Sequence, residues 1–305
     1  MPLKYTYQYP TNGTAKFENF PACLAENPTL EIGEVGGTSG WYIGLDVINN
    51  GSSFRAYIRN RFENGNSRVQ ASLLLLTVPN RHNARFGTSG THVVKKYDKV
   101  IGRVMGIEEA EYGGWLHGNS LWIGYGIHVE AVKYVDDDVW KFNFNDPIFD
   151  AQNIPMITFL DKETNEKLYC AKQLIENHSP FFEEKSVVTE NVNKFYMEKC
   201  LQIAHGDRSH IPEEDIQMTL STGINFKMLN VIRFCERQMI WMGSVNHENI
   251  QLAMKNNLNQ YLGQMIKKLD SPKILAGILK NIDLEVASSE SMKICAKYLF
   301  ENMNY

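Results

Sequence analysis

The chain has 305 residues, of which 43% are hydrophobic and 22% charged, with a formal charge of -4. That length exceeds what one hydrophobic core usually serves, so two or three domains are expected, and the composition is that of folded globular domains, not of a fibrous or disordered chain. The acidic balance argues against a nucleic-acid binder. No stretch approaches the ~20 apolar residues of a membrane span, and Met1 to Tyr7 lack a secretory signal's apolar core, so a cytoplasmic or nuclear protein without a membrane partner is expected.

Up to about Asp150 apolar residues alternate, punctuated by Asn-Gly pairs that tolerate the positive φ of tight hairpins. Trp41, Ile43, Leu45 and Val47 share one face of a strand that stops at Asn49-Asn50-Gly51, and Phe54, Ala56 and Ile58 open its partner. Asn64-Gly65 precedes a strand from Val69 to Val78, where Leu73 to Leu76 are apolar on both faces, as in an interior strand. Leu121, Ile123, Tyr125, Ile127, Val129 and Ala131 then keep a period of two. Together they predict an antiparallel β-sandwich. The acidic run Asp136-Asp137-Asp138 reads as a solvated turn, and Asn143 to Asn153 as the link to a second domain.

Beyond the link, Ile154 to Leu160 and Lys167 to Cys170 predict a hairpin turned at Asp161 to Asn165, and from Ala171 onward the period becomes helical. Met228, Val231, Ile232, Cys235 and Met239 form one apolar stripe; Leu258, Tyr261, Leu262, Met265 and Leu269 form a second; Met292, Cys295, Ala296, Leu299 and Met303 form a third. Pro212 before Glu213-Glu214-Asp215, and Ser271-Pro272, mark helix starts.

Catalytic chemistry has little to stand on. The glycines at 33, 36, 37 and 40 lack the order of a phosphate cradle and predict a turn, as do Gly87 to Gly90. The histidines are scattered; only His205 and His210 are close, in an expected surface loop, and no metal site is predicted. No nucleophile elbow occurs, and the five cysteines are spread singly, as buried reduced thiols would be. Trp115, Trp122 and Trp140 read as core. No catalytic residue and no cofactor are expected.

The run Leu168 to Phe182, ending in Ser179-Pro180-Phe181-Phe182, resembles the BTB (POZ) signature, in which a hairpin strand leads to a helix closing on Ser-Pro-aromatic-Phe. Asn193 to Gly206 is similar to the BTB helix that follows, Ile216 to Trp241 to the paired closing helices, and Asn246 to Tyr305 to a BACK-like helical extension. Phe17 to Phe20, Trp41-Tyr42-Ile43 and Gly113 to Ile123 resemble, more loosely, the landmarks of MATH domains. The resemblance implies an α+β multidomain chain with a MATH-like sandwich at 1–148, a BTB/POZ domain at 152–243 and a helical extension at 244–305.

From that resemblance follows an expected role as a substrate adaptor of a cullin-type E3 ubiquitin ligase: the sandwich captures protein substrates, BTB forms a homodimer, and the cullin scaffold protein is a partner. Phe182 and Glu184 are the candidate cullin contacts. Tyr57, Phe86, His92 and Tyr97, near the family groove, are the candidate substrate contacts, with the family's aromatic pair replaced near His92 and Val94. Departures are Ala171 where the family has histidine, Asn153-Ile154-Pro155 at its early aspartate, and a short segment from Phe182 to Val187. These point to an alternative, a scaffold that dimerises or docks partners without a cullin.

Overall fold

The structure, a computed structural model, describes residues 9–61, 67–78, 86–134, 139–146, 155–190, 192–243, 247–282, 285 and 287–302, with the side chains of Phe86, His247 and Glu248 left aside. Antiparallel β-sheets fill the N-terminal part and helices the C-terminal part, so the chain is α+β. Two compact units result: the first runs to Phe159 and takes in Lys167–Lys172, and the second holds Leu160–Glu166 and Gln173 onward. The division expected at 148–152 and the far side of that expected at 243–244 fall at residues outside those described, as do Asn64-Gly65, Asp136-Asp137-Asp138 and His82.

In the first unit, strands β1 (Thr11–Glu18), β2 (Thr29–Val35), β3 (Thr38–Ile48), β4 (Ser53–Asn60), β5 (Arg68–Thr77), β6 (Phe86–Lys95) and β7 (Lys99–Gly106) precede a short helix, α1 (Ile107–Tyr112). They are followed by β8 (Leu116–His117), β9 (Ser120–Lys133) and β10 (Lys141–Phe142). One sheet runs β1-β9-β5-β6, with β8 and β10 also on β9; the other is four-stranded in the order β2-β3-β4-β7. Their inner faces bury one common core that includes Trp41, Ile43, Leu45, Phe54, Ile58, Leu73, Leu75, Trp115 and Ile127. Both sheets are antiparallel and share that core.

Local sequence explains the turns. Asn49, Asn50 and Gly51 all take positive φ between β3 and β4, where asparagine and glycine meet least strain. Val47, on the expected inner face, is exposed near the end of β3. The glycines at 36 and 37 form the β2–β3 turn as expected, also at positive φ. Gly87 and Gly90 do not: both lie inside β6, where a Cβ on Gly87 would run into the Leu75 carbonyl. The glycine there reflects a close backbone approach, not a turn. In β9 the period of two slips at a bulge near Glu130, so Val129 and Val132 face the core and Ala131 does not. Of the three tryptophans read as core, Trp115 is buried, while Trp122 and Trp140 are only half-buried.

Strands β11 (Met156–Leu160) and β12 (Lys167–Ala171) are neighbours in a further sheet, and the Tyr169 N–H donates to the Phe144 carbonyl at 2.8 Å. They are followed by α2 (Lys172–Glu176), the two-residue strand β13 (Val187–Val188), α3 (Lys194–Ala204), α4 (Glu213–Asn225) and α5 (Leu229–Met242). The last helices are α6 (His247–Lys255), α7 (Asn259–Lys267), α8 (Pro272–Leu279) and α9 (Ser289–Asn302). The first two predicted stripes are largely core seams: Met228, at the cap of α5, and Val231, Cys235 and Met239 on it are buried, as are Leu258, at the cap of α7, and Tyr261, Leu262 and Met265 on it, while Ile232 and Leu269 are half-buried. Of the third, Cys295 is buried, Met292, Ala296 and Leu299 are half-buried, and Met303 lies outside the described residues. Helix α4 packs so closely on α5 that a Cβ on Gly223 would meet Val231 at 2.9 Å.

Candidate functional site

Strand β4 carries Phe54, Ala56 and Ile58 into the core, so period-two alternation puts Arg55, Tyr57 and Arg59 on the outer face of the four-stranded sheet. Cross-strand register adds Tyr42, Gly44 and Asp46 from β3, Glu31 from β2, and Lys99, Ile101 and Val104 from β7. Tyr57 is only 2% exposed although it lies outside the core, because long side chains roof it. The Lys99 ammonium sits 4.2 Å from its ring centre and the Arg59 guanidinium 5.8 Å. Lys99 then continues over the ring to the Asp46 carboxylate at 2.6 Å, while Arg55 approaches that carboxylate at 3.9 Å. Arg61 covers Tyr42 in the same way, at 4.3 Å.

Strands β6 and β7 each stand at the end of their sheet and are joined by a short turn. Between them opens a groove of ≈ 330 Å³ lined by His92, Val93, Asp98, Lys99, Val100 and Ile101. Val93 and Ile101 present apolar surface to it, 51% and 42% exposed. Tyr97 holds the turn at a positive φ of 66°, its N–H donating to the Asn60 carbonyl at 3.1 Å, so the backbone is tethered while the ring is 63% exposed beside Lys96. A bulge at Gly102-Arg103 interrupts the β4–β7 ladder between Tyr57 and Arg55, the kind of edge irregularity that re-aims side chains.

Three of the four expected substrate contacts therefore gather here: His92 lines the groove, Tyr97 tops the hairpin, and Tyr57 pairs with Ile101. Phe86 does not. It pairs with Thr77 at the far end of β6, whereas His92 pairs with Ala71, a separation of roughly 20 Å along the strand. Val94, expected at a groove position, is fully buried in the core. Sequence reading passed over Lys99, Ile101, Arg55 and Arg59; the usable signal was the alternation Arg55-x-Tyr57-x-Arg59, whose outward set is cationic and aromatic.

In the second unit, Phe182 is 0% exposed, its ring stacked on Phe226 at 5.9 Å and edge-on to Phe181 at 5.2 Å. Ser179 fixes this cluster: its hydroxyl donates to the Phe226 carbonyl at 2.5 Å and accepts from the Phe181 N–H at 3.1 Å. Phe182 is thus a core ring in the described chain and offers no surface to a cullin; Glu184 is exposed. Burial pushes the thiols of Cys170 and Cys235 up to about 12 and that of Cys200 well above its ordinary value, which holds these sulfurs in the unreactive thiol form. His205 is half-buried, and the His210 Nδ1 donates to the Gln238 Oε1 at 2.9 Å while its ring packs on Trp241. Among the described residues no group of three or more His, Cys, Asp or Glu could hold a metal ion, and no helix is long and apolar enough to cross a membrane.

No family model matches the chain, and no curated protein does. Among solved structures it is similar to the Salmonella enterica trimeric lipoprotein SadB, at 9% identity over 37% of this chain and 66% of that chain, with a TM-score of 0.18. A likeness at that score carries no argument about fold or function.

Proposed function

We propose that this chain is a substrate adaptor of a cullin-type E3 ubiquitin ligase, with a MATH-like sandwich that captures an extended segment of a protein substrate. The BTB-like part at 152–243 pairs two copies and meets the cullin scaffold, and 244–305, with α6 to α9, form its helical extension. In this reading the protein is not an enzyme, needs no cofactor and works in the cytoplasm or nucleus. The observation that carries it is the groove where β6 and β7, both end strands, meet under exposed Val93, Tyr97 and Ile101. Unpaired strand edges beside apolar pockets suit capture of a peptide as an added strand.

Phe182 burial favours the second reading, a scaffold that dimerises or docks partners without a cullin, since Glu184 is then the one surviving candidate contact. Calorimetry of the full chain against a cullin N-terminal domain, with light scattering on the same sample, separates the two. The adaptor reading expects a dimer that binds with a Kd of about 1 μM or tighter, weakened by Glu184→Ala. A folded sample that gives no heat with the cullin would transfer the conclusion to the scaffold.

A further inference from the structure

The outer face beside the β7 edge has a charge of its own, opposite to that of the whole chain. Arg55, Arg59, Arg61 and Lys99 share it with the carboxylates of Glu31 and Asp46, and among the described residues only Asp46 forms an ion pair there. The Nε atoms of Arg55 and Arg59 are buried and have no hydrogen-bond partner in the described structure. Guanidinium donors kept from water without an acceptor are unusual in a folded protein and need a reason. An arriving anion supplies one, because charge-assisted bonds from arginine to carboxylate are strong and directional.

Register says where such an anion would stand. A segment added to the outer edge of β7, which pairs with no strand but β4 among the described residues, lies about 10 Å from β4, two strand spacings, a gap that an arginine and a glutamate side chain close between them. Residues opposite one another in a ladder share a face, so a segment residue opposite Lys99 meets Arg59, which pairs with Lys99; one opposite Ile101 meets apolar surface; and one opposite Val104 meets Arg55. Asp46, gripped by Lys99 and Arg55, already shows a carboxylate taken by this face.

Resting on the capture reading above, we infer that the β7 edge selects an extended acidic peptide whose alternate residues run acidic, apolar, acidic. Arg59 and Lys99 take the first carboxylate, Ile101 and Tyr57 the apolar residue, and Arg55 the second carboxylate. Asp46 is the internal competitor for the same cations. A nucleic acid fits less well, since the chain carries a net charge of -4 and the hydrophobic position at Ile101 has no counterpart in a phosphate backbone.

The test is fluorescence anisotropy of the full chain with a labelled synthetic peptide reading Glu-Thr-Val-Thr-Glu at its centre, against the same peptide with both glutamates changed to glutamine. The expected result is binding of the acidic peptide about tenfold or more tighter than of the glutamine peptide, and weakening as salt rises from about 50 to 300 mM. Arg59→Ala weakens it by about fivefold, Arg59→Lys by less, and Asp46→Asn strengthens it, each in a variant whose melting curve shows a folded protein. Equal binding of both peptides, or displacement of the acidic peptide by an oligonucleotide of equal charge, overturns the inference. If neither peptide binds but members of a random peptide library protect the β7 amides from exchange, acidic selection fails while capture stands. Protection by no library peptide sinks both.

Discussion

Tyr57 lies across Gly44 on the neighbouring strand, its hydroxyl 2.5 Å from where a Cβ on that glycine would be. Gly13 and Tyr125 repeat the arrangement between β1 and β9, at 2.6 Å. In both pairs the aromatic ring fills the space that glycine leaves, restoring the buried surface a glycine strand position lacks. Gly44→Ala must push the ring aside or shift the Pro28 carbonyl, 3.0 Å from the same point. Denaturant unfolding should show a loss of about 1–3 kcal/mol. The double variant with Tyr57→Ala should depart from the sum of the two single variants by about 0.5 kcal/mol or more; strict additivity would mean that the ring does not hold that place.

Asp161 ties the turn after β11 to the start of α3. Its carboxylate accepts the Lys194 N–H at 2.9 Å and those of Glu163 and Thr164 at 2.9 and 3.3 Å. The Lys194 bond, then the other N–H groups, hold its pKa below the usual carboxylate range. A depressed folded-state pKa contributes stability above the unfolded value, about 3.9, and loses it as pH falls through the lower folded value. Asp161→Asn should therefore unfold at lower denaturant than the parent near neutral pH, with the difference shrinking on acidification below about pH 4. A difference unchanged down to the acid end would show that the bonds do not depend on the charge.

How much of this could be read from the letters differs by element. The β3–β4 hairpin was legible because Asn49-Asn50-Gly51 states its own backbone requirement. Strand β6 was not, since Gly87 and Gly90 read as a turn until Leu75 is placed beside them. Phe182 looked like a surface contact within its motif; its burial depends on Phe226, distant along the chain and brought near by the α4–α5 connection. At the candidate site, His92 and Tyr97 were reached only through the resemblance, as positions near the family groove; the structure leaves His92 half-buried and Tyr97 exposed. The cationic roof over Tyr57 was not, because Lys99 reaches it only through the β4–β7 register.

The cysteines differ in reach. Cys23 is half-buried, while Cys170, Cys200, Cys235 and Cys295 are buried. Burial pushes the Cys295 thiol to about 11 and those of Cys170 and Cys235 to about 12. Since the thiolate is the reactive form, alkylation of the native chain at about pH 8 should label Cys23 first and the others only with unfolding. Peptide mass mapping over time reads the order; early labelling of Cys200 or Cys235 would mean that the α3 to α5 packing opens in the native state.

Glu236 is a buried carboxylate on α5 whose Oε1 accepts the N–H groups of Gln260 and Tyr261 at 2.9 and 3.1 Å. These are among the first N–H groups of α7, which have no acceptor within their own helix. Leu258, at the cap position, has no side-chain acceptor to offer, so a residue of another helix supplies the cap and locks the start of α7 onto α5. The negative charge also meets the positive end of the α7 dipole. Glu236→Ala leaves the buried Tyr261 N–H and the part-buried Gln260 N–H without their acceptor and should destabilise the chain by about 1–3 kcal/mol. Glu236→Gln keeps an acceptor oxygen and loses only the charge, so it should recover most of that difference. Unfolding of both variants, with hydrogen exchange at the Gln260 and Tyr261 amides, checks it. If Ala and Gln fall equally, the charge itself, and not the acceptor geometry, holds the helix.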